Sequence, residues 1–440
     1  MKTQPVKEPI TESLENLLLS NSVTLDKPDD LHVLLDYIGD AQYVLLGEAS
    51  HGTHEYYTWR TWLSKMLIEK KGFSFIAVEG DWPDCYRLNR FIRNYPDAGS
   101  NAMDVLKTFD RWPTWMWANW EVVALAEWMR SHNAGLPAEK KAGFYGLDVY
   151  SLWDSLHAII EYLGKQDPET RQSAMKALEC FEPYGEGTAY AQATALLPGS
   201  CEGEVIDLLL EARRNAAFWE TDPESAMSAR QNASIVYNAE KYYRSMIRSG
   251  PEAWNIRDEH MTDTLNNLMS FHGTNAKAII WAHNTHIGDA RATSMARNGM
   301  INLGQLVRGQ HRPDDVICIG FGSYQGDVIA GRSWGDKMWR MQTPPSLPGS
   351  WEDMLHHLDG KSRLVFMNDE MKKTLGSTDL LHRAIGVVYN PEMEQHSNYV
   401  PSRMPHRYDV FIFLDDTASL HPLHIRPGGE EVPETYPFGL

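Results

Sequence analysis

The chain has 440 residues, 42% of them hydrophobic and 23% charged, as in an ordinary globular protein with room for two or three structural units. Its net charge of −18 argues against a nucleic-acid binder, which needs clustered Lys and Arg to neutralise phosphates. No apolar run approaches the roughly 18 to 20 residues that cross a bilayer, and Met1–Ser20 has no apolar stretch behind a basic start. The expectation is therefore a cytoplasmic protein, with no nucleic acid and no membrane as partner. Cys85, Cys180, Cys201 and Cys318 are scattered and read as buried small apolar residues in a reducing cytosol.

Seven short segments rich in Val, Ile, Phe and Tyr, each bounded by Gly, Asp or Asn, are predicted strands. In chain order they are Tyr43–Gly47, Phe73–Glu79, Gly143–Asp148, Ala276–His283, Val316–Ser323, Ile385–Tyr389 and Val410–Leu414. Helical spacing between them, as in Tyr56–Lys70 and Trp120–His132, predicts a mostly parallel sheet covered by helices, an α/β fold. From Ser151 to His272 the pattern is helical only, in Leu152–Leu163, Arg171–Phe181, Glu202–Phe218 and Ala226–Met246, with turns at Gly185–Gly187 and Pro198–Ser200. This predicts an all-helical subdomain (151–271) inserted between the two parts of an α/β core (1–150 and 272–440). The tail from Pro427 reads as an irregular surface segment.

The chemistry gathers at strand ends. The first predicted strand breaks at Gly47 and delivers Glu48, His51, His54 and Glu55 within one turn. The second ends in Glu79, the third in Asp148, and the fourth in His283-Asn284-Thr285-His286; Tyr324 follows the fifth. In an open α/β sheet the crevice beyond the carboxyl ends of the strands is where ligands bind. A terminal Asp is often only a turn former, and Glu55 also suits the first turn of the next helix, where an acid favours the dipole. Two histidines bracketing Asn284 and Thr285 just past a strand are harder to explain structurally. Trp112, Trp115, Trp117 and Trp120 crowd one segment; tryptophan is usually core, but such a cluster can wall a pocket for a large apolar or sugar-bearing ligand.

Two chemistries fit these residues. The histidines and carboxylates could hold a metal that activates water, although no H-E-x-x-H spacing is present. Alternatively, one histidine takes a proton from water while a carboxylate holds its other ring nitrogen, and neighbouring groups stabilise the oxyanion. There is no G-x-S-x-G elbow for a serine nucleophile. A phosphate binder would show a glycine-rich loop with Lys or Arg, whereas Gly47 and Gly52 bracket an acid.

Gly47–Glu55, Val78-Glu79-Gly80-Asp81-Trp82, Phe144–Asp148 and Ala282–His286 together resemble the erythromycin esterase family over about 31–414. That resemblance implies a hydrolase of a carboxylic ester or lactone, in the type enzymes the macrolide ring and hence antibiotic resistance, working without cofactor or metal. It further implies His51 as general base, with Glu48, Glu79, His283, His286 and Arg60 completing the catalytic set. His54, Glu55, Asp148, Trp115 and Tyr324 are candidate substrate contacts. The partner is a small-molecule ester or lactone; oligomeric state is left open. The shared motifs report the chemistry and not the substrate, so a metal-dependent hydrolase or a non-macrolide, polysaccharide-related enzyme remain the alternatives.

Overall fold

The computed structural model describes residues 12–164, 167–185, 187–196, 199–215, 222–248 and 250–424. Met1–Ile10, the turn positions Glu186 and Pro198, and the tail from Pro427 lie outside the described residues. Eleven described strands follow in chain order: β1 (Ser22–Thr24), β2 (Tyr43–Leu46), β3 (Phe75–Val78), β4 (Gly143–Gly146), β5 (Ala278–Trp281), β6 (Val316–Ala330), β7 (Trp339–Thr343), β8 (Arg363–Phe366), β9 (Leu380–Arg383), β10 (Tyr399–Ser402) and β11 (Val410–Thr417). Nine form one sheet in the order β1-β8-β11-β6-β2-β5-β3-β4, with β7 folded back on β6; β9 and β10 pair separately. From β11 to β4 every neighbour is parallel, and β8 runs antiparallel to both β1 and β11. The α/β, mostly parallel fold expected from the sequence is the fold observed.

The near-continuous apolar runs of β2, β3 and β5 follow from burial on both faces. Val44, Leu46, Ile76, Val78, Ile279 and Trp281 enter one hydrophobic cluster, beneath the helices His54–Lys71, Trp82–Ile92 and Trp120–Asn133. The alternate residues, Tyr43, Leu45, Phe75, Ala77, Ala278 and Ile280, enter a second, beneath Glu252–His272, Leu303–Gln310 and Trp351–Asp359. A one-residue slip of any of these strands would exchange the two sets, so the register is firmly specified.

The interval after β4 is helical, with helices Leu152–Leu163, Pro168–Phe181, Gly187–Leu196, Glu202–Asn215 and Pro223–Ser245 packed around a third cluster that includes Leu156, Ile159, Phe181, Leu208 and Val236. Asp167 and Asp222 cap two of these helices, each followed by proline at the first helical position. The next helix, Glu252–His272, instead packs Met261, Leu265 and Leu268 on the sheet.

Two expectations are corrected. Ile385–Tyr389 is not a ladder strand: it makes isolated bridges to Ser50 and Gly331, because its amides reach back to Ala49 and Gly331 and not to a continuous neighbour. Cys180 and Cys201 are not free thiols but a disulfide joining the end of one helix to the start of another, while Cys85 and Cys318 are free and buried. Among the described residues no helix is long and apolar enough to cross a membrane.

Candidate active site

β2, β5, β3 and β4 are neighbours in the sheet, so their carboxyl ends deliver the Gly47–Glu55 turn, the His283–His286 turn, Glu79 and Asp148 to one edge. The turns are locked by close backbone approach. Gly47 and Gly52 have no room for a side chain: a Cβ would lie 2.1 Å from Asn284 Oδ1 at Gly47 and 1.9 Å from the Ile329 carbonyl at Gly52. Asn284, packed on Gly47, donates to the Phe321 carbonyl (2.6 Å) and accepts from the Phe321 amide (3.2 Å), which clamps the histidine turn to β6. A cleft of about 240 Å³ opens over these ends and is lined by His51, Glu79, Asp148, His283 and His286.

His51 stands at the cleft wall with its Nδ1 2.8 Å from Glu48 Oε1. Arg60 Nη2 donates to Glu48 Oε2 at 2.6 Å, and the fully buried guanidinium sits over the rings of Tyr57 and Trp281. Glu48 thus accepts from the base on one oxygen and from a fixed cation on the other. With Nδ1 tied to a carboxylate, the His51 proton sits there and Nε2 presents its lone pair to the cleft.

The His283 ring lies 5.0 Å from that of His51, centroid to centroid. Its Nδ1 accepts from the Thr285 amide and approaches the Thr285 hydroxyl at 2.7 Å, which places the proton on Nε2. That Nε2 is buried and has no hydrogen-bond partner among the described residues. Burial first, then the neighbouring His51, holds His283 well below the ordinary imidazole range, so it stays neutral and presents one N–H. The His283 amide donates to Glu79 Oε2 at 2.8 Å.

Glu79, Asp148, His286, Arg257 and Asp258 form one buried network. Arg257 donates to both oxygens of Asp148 (2.9 and 2.7 Å) and to Glu79 Oε1 (2.7 Å), while His286 Nδ1 lies 3.0 Å from Asp258 and its ring stacks on Trp254. Burial pushes Glu79 up, but His286, Arg257 and His51 together outweigh it and hold the carboxyl well below its usual range. Burial likewise opposes charge on His286, yet Asp258 and then Glu79 push it up to about 9. The 3.0 Å approach of Arg257 Nη1 to His286 Nε2 would suit a neutral ring. Three carboxylates against one arginine favour the protonated one, with Glu79 bridging the two cations.

The far wall comes from the segment around Arg111–Trp117 and from Trp254 and Trp334. Asp81 and Asp84 line it too, pushed up to about 6 and about 7 by burial, with Arg111 Nε 3.3 Å from Asp81 Oδ2.

The structure brings His51, Glu48, Arg60, Glu79, Asp148, His283 and His286 together. Four expected substrate contacts are placed elsewhere. His54 faces Glu121 (2.6 Å), and Glu55 accepts from the Ala418 amide. Trp115 is buried edge-on against Trp112, which lines the cleft with Trp117 in its place, while Trp120 is exposed. Tyr324 stacks on His356 at 3.6 Å, away from the cleft, because β6 runs on past the strand ends to Ala330. Arg257 and Asp258 were missed. The signal was the block Arg257-Asp258-Glu259-His260 in an amphipathic helix directly before β5.

The erythromycin esterase family model matches residues 68–417, more than half of the chain, starting after the turn that carries His51. An erythromycin esterase type II of Escherichia coli is 23% identical over 329 residues, covering 69% of this chain and 74% of that protein. Among solved structures, a succinoglycan biosynthesis protein superposes with a TM-score of 0.74 at 21% identity, covering 96% of this chain and all of the other. A mutant of the erythromycin esterase EreC in its open conformation gives 0.66 at 16% identity, covering 89% and 94%. The chain belongs to the erythromycin esterase family, and is an esterase-type hydrolase by that membership.

Proposed function

We propose that the cleft hydrolyses a carboxylic ester or lactone by direct attack of water, with His51 as general base. The observation that carries this reading is the relay Arg60–Glu48–His51, which ends 5.0 Å from the neutral His283 ring. Water held between His51 Nε2 and the carbonyl carbon would give its proton to Nε2 as the C–O bond forms. Glu48, already ion-paired to Arg60, stabilises the imidazolium without taking the proton. The unpartnered His283 Nε2–H is the donor for the developing oxyanion, assisted by the positive charge of His286 and Arg257 behind it. Collapse of the tetrahedral intermediate expels the alcohol oxygen, which takes the proton back from His51 Nε2. Glu79 and Asp148 keep Arg257 and His286 in place.

A metal reading is less well supported by the donor set. Among the described residues, the cleft's histidines and carboxylates do not bring three ligand atoms within 4.8 Å of one another. The cleft volume, about 240 Å³, is below the roughly 300–1,000 Å³ of drug-sized sites. This favours an ester whose acyl portion enters while the remainder lies on the aromatic wall, whether that remainder is a sugar or one face of a macrocycle. A panel of neutral esters and lactones of graded size, from short acyl esters to macrolides, tests this. Turnover of small esters that His51→Ala abolishes supports the reading; no hydrolysis of any ester or lactone would refute it.

A further inference from the structure

Outside the cleft, three side chains from distant parts of the chain converge. His54 opens the helix His54–Lys71, Glu121 stands in the first turn of Trp120–Asn133, and His421 lies in the segment after β11. The Nδ1 atoms of His54 and His421 lie 2.6 and 2.7 Å from the same Oε1 of Glu121. The two rings are nearly perpendicular, at 87°, with centroids 5.2 Å apart. Among the described residues this is the one group of three or more Cys, His, Asp or Glu donors whose ligand atoms all fall within 4.8 Å of one another.

We propose that His54, Glu121 and His421 form a binding site for a divalent first-row cation of the zinc type. Two imidazole nitrogens and one carboxylate are a donor set that zinc accepts, with water completing the tetrahedron. Zn–N and Zn–O distances of about 2.0–2.2 Å put neighbouring donors about 3.3 Å apart. The present N···O contacts must therefore open by about 0.6 Å from their hydrogen-bonded separation, as a cation replaces the shared protons. The surroundings permit that. Glu121 is a buried anchor, with a side chain 3% exposed, while His54 (33%) and His421 (62%) have free volume to rotate and leave a face open to water. Each imidazole binds as the neutral ring through Nδ1, so its proton moves to Nε2 or to solvent.

The backbone fixes what such a cation would do. The 417–423 segment is already stitched to the turn that carries His51, where His54 N donates to Ala418 O and Leu420 N to Gly52 O, and to the helix that carries Glu121, where Trp120 N donates to His421 O. A cation at this cluster joins the chain's last described segment to that turn, and none of its three ligands lines the cleft. Its role is to stabilise the turn, and it stands independently of the ester reading.

The test uses the full-length protein, stripped with a chelator that is then removed. Zn²⁺ is titrated by calorimetry and Co²⁺ by visible absorption, on wild type, His421→Ala and Glu121→Gln, with circular dichroism to confirm folding. One equivalent is expected to bind wild type and to raise its thermal midpoint, and each variant is expected to lose about ten-fold or more in affinity together with that shift. Absence of binding to wild type overturns the proposal. So does binding to folded His421→Ala within a few-fold of wild type, which would place the cation elsewhere.

Discussion

The charge on His286 makes a quantitative prediction about stability. His286 is fully buried and pushed up to about 9 from an ordinary 6.5, so the native state holds a proton that the unfolded chain releases near 6.5. A raised pKa contributes stability that is complete below 6.5 and is lost as pH rises through about 9. At about 1.4 kcal/mol per pH unit, that interval amounts to about 3 kcal/mol. Asp258, its partner, is itself pushed up by burial, so replacing His286 alone would move the proton onto the acid and hide the effect. The perturbation is therefore the double substitution His286→Asn with Asp258→Asn, which leaves an amide pair that does not titrate. His260, His272 and His283 are held down by burial; neutral in both states above 6.5, they add no slope in this window. His54 is raised by its hydrogen bond to Glu121, but it is common to both proteins and cancels. Urea unfolding of wild type and double variant, followed by tryptophan fluorescence from pH 6 to 10, gives the difference curve. It should fall by about 3 kcal/mol between pH 6.5 and 9 and be flat above. A difference constant to within about 0.5 kcal/mol would show that His286 is neutral and that the charge balance drawn for the network is wrong.

Arg257→Leu leaves Glu79 and Asp148 buried without their shared cation and should cost about 3–5 kcal/mol as well as activity; Arg257→Lys should not restore kcat, since an ammonium cannot span both carboxylates as the guanidinium does. Kinetics and denaturation on both variants check this, and a fully active lysine variant would show that Arg257 acts only as a charge. Gly47→Ala forces Asn284 off its clamp and should lower kcat/KM while costing about 1–3 kcal/mol by overpacking. A wild-type rate in that variant would mean the histidine turn does not depend on the clamp. His283→Phe keeps the ring volume but removes the Nε2–H, and should reduce kcat by about 100- to 1,000-fold with little change in KM; a rise in KM alone would make His283 a binding group.

Much of the site was legible because its residues sit where an apolar strand stops. β2, β3, β4 and β5 are each four residues long and buried throughout, and Glu48, Glu79, Asp148 and His283 follow them within two residues. Residues on helices were not legible in the same way. Arg257, Asp258 and Glu121 lie in amphipathic patterns where a charged group ordinarily faces solvent, and only the tertiary packing turns them inward. Among the missed strands, β1 has three residues and β7 alternates Arg340 and Gln342 with its apolar positions, so neither offers the buried run of a central strand, while the short apolar run of β8 opens on the charged Arg363. In Ile385–Tyr389, the pair Val387-Val388 imitates such a run, but the segment passes between the His51 turn and the end of β6 without a neighbour along its length. The disulfide was invisible because Cys180 and Cys201 are 21 residues apart and meet only once two helices have packed.

The central claim, that His51 activates water in a relay that needs no cation in the cleft, is tested most directly by one comparison. Wild type and His51→Asn, both freed of metal by exhaustive chelation and verified by elemental analysis, are assayed for kcat/KM on the best ester of the panel. Chelated wild type should retain its activity and His51→Asn should fall by about 100- to 10,000-fold. Loss of activity on chelation with recovery on adding zinc or manganese, in wild type and equally in His421→Ala, which lacks the site outside the cleft, would contradict the account, as would a His51→Asn rate within a few-fold of wild type.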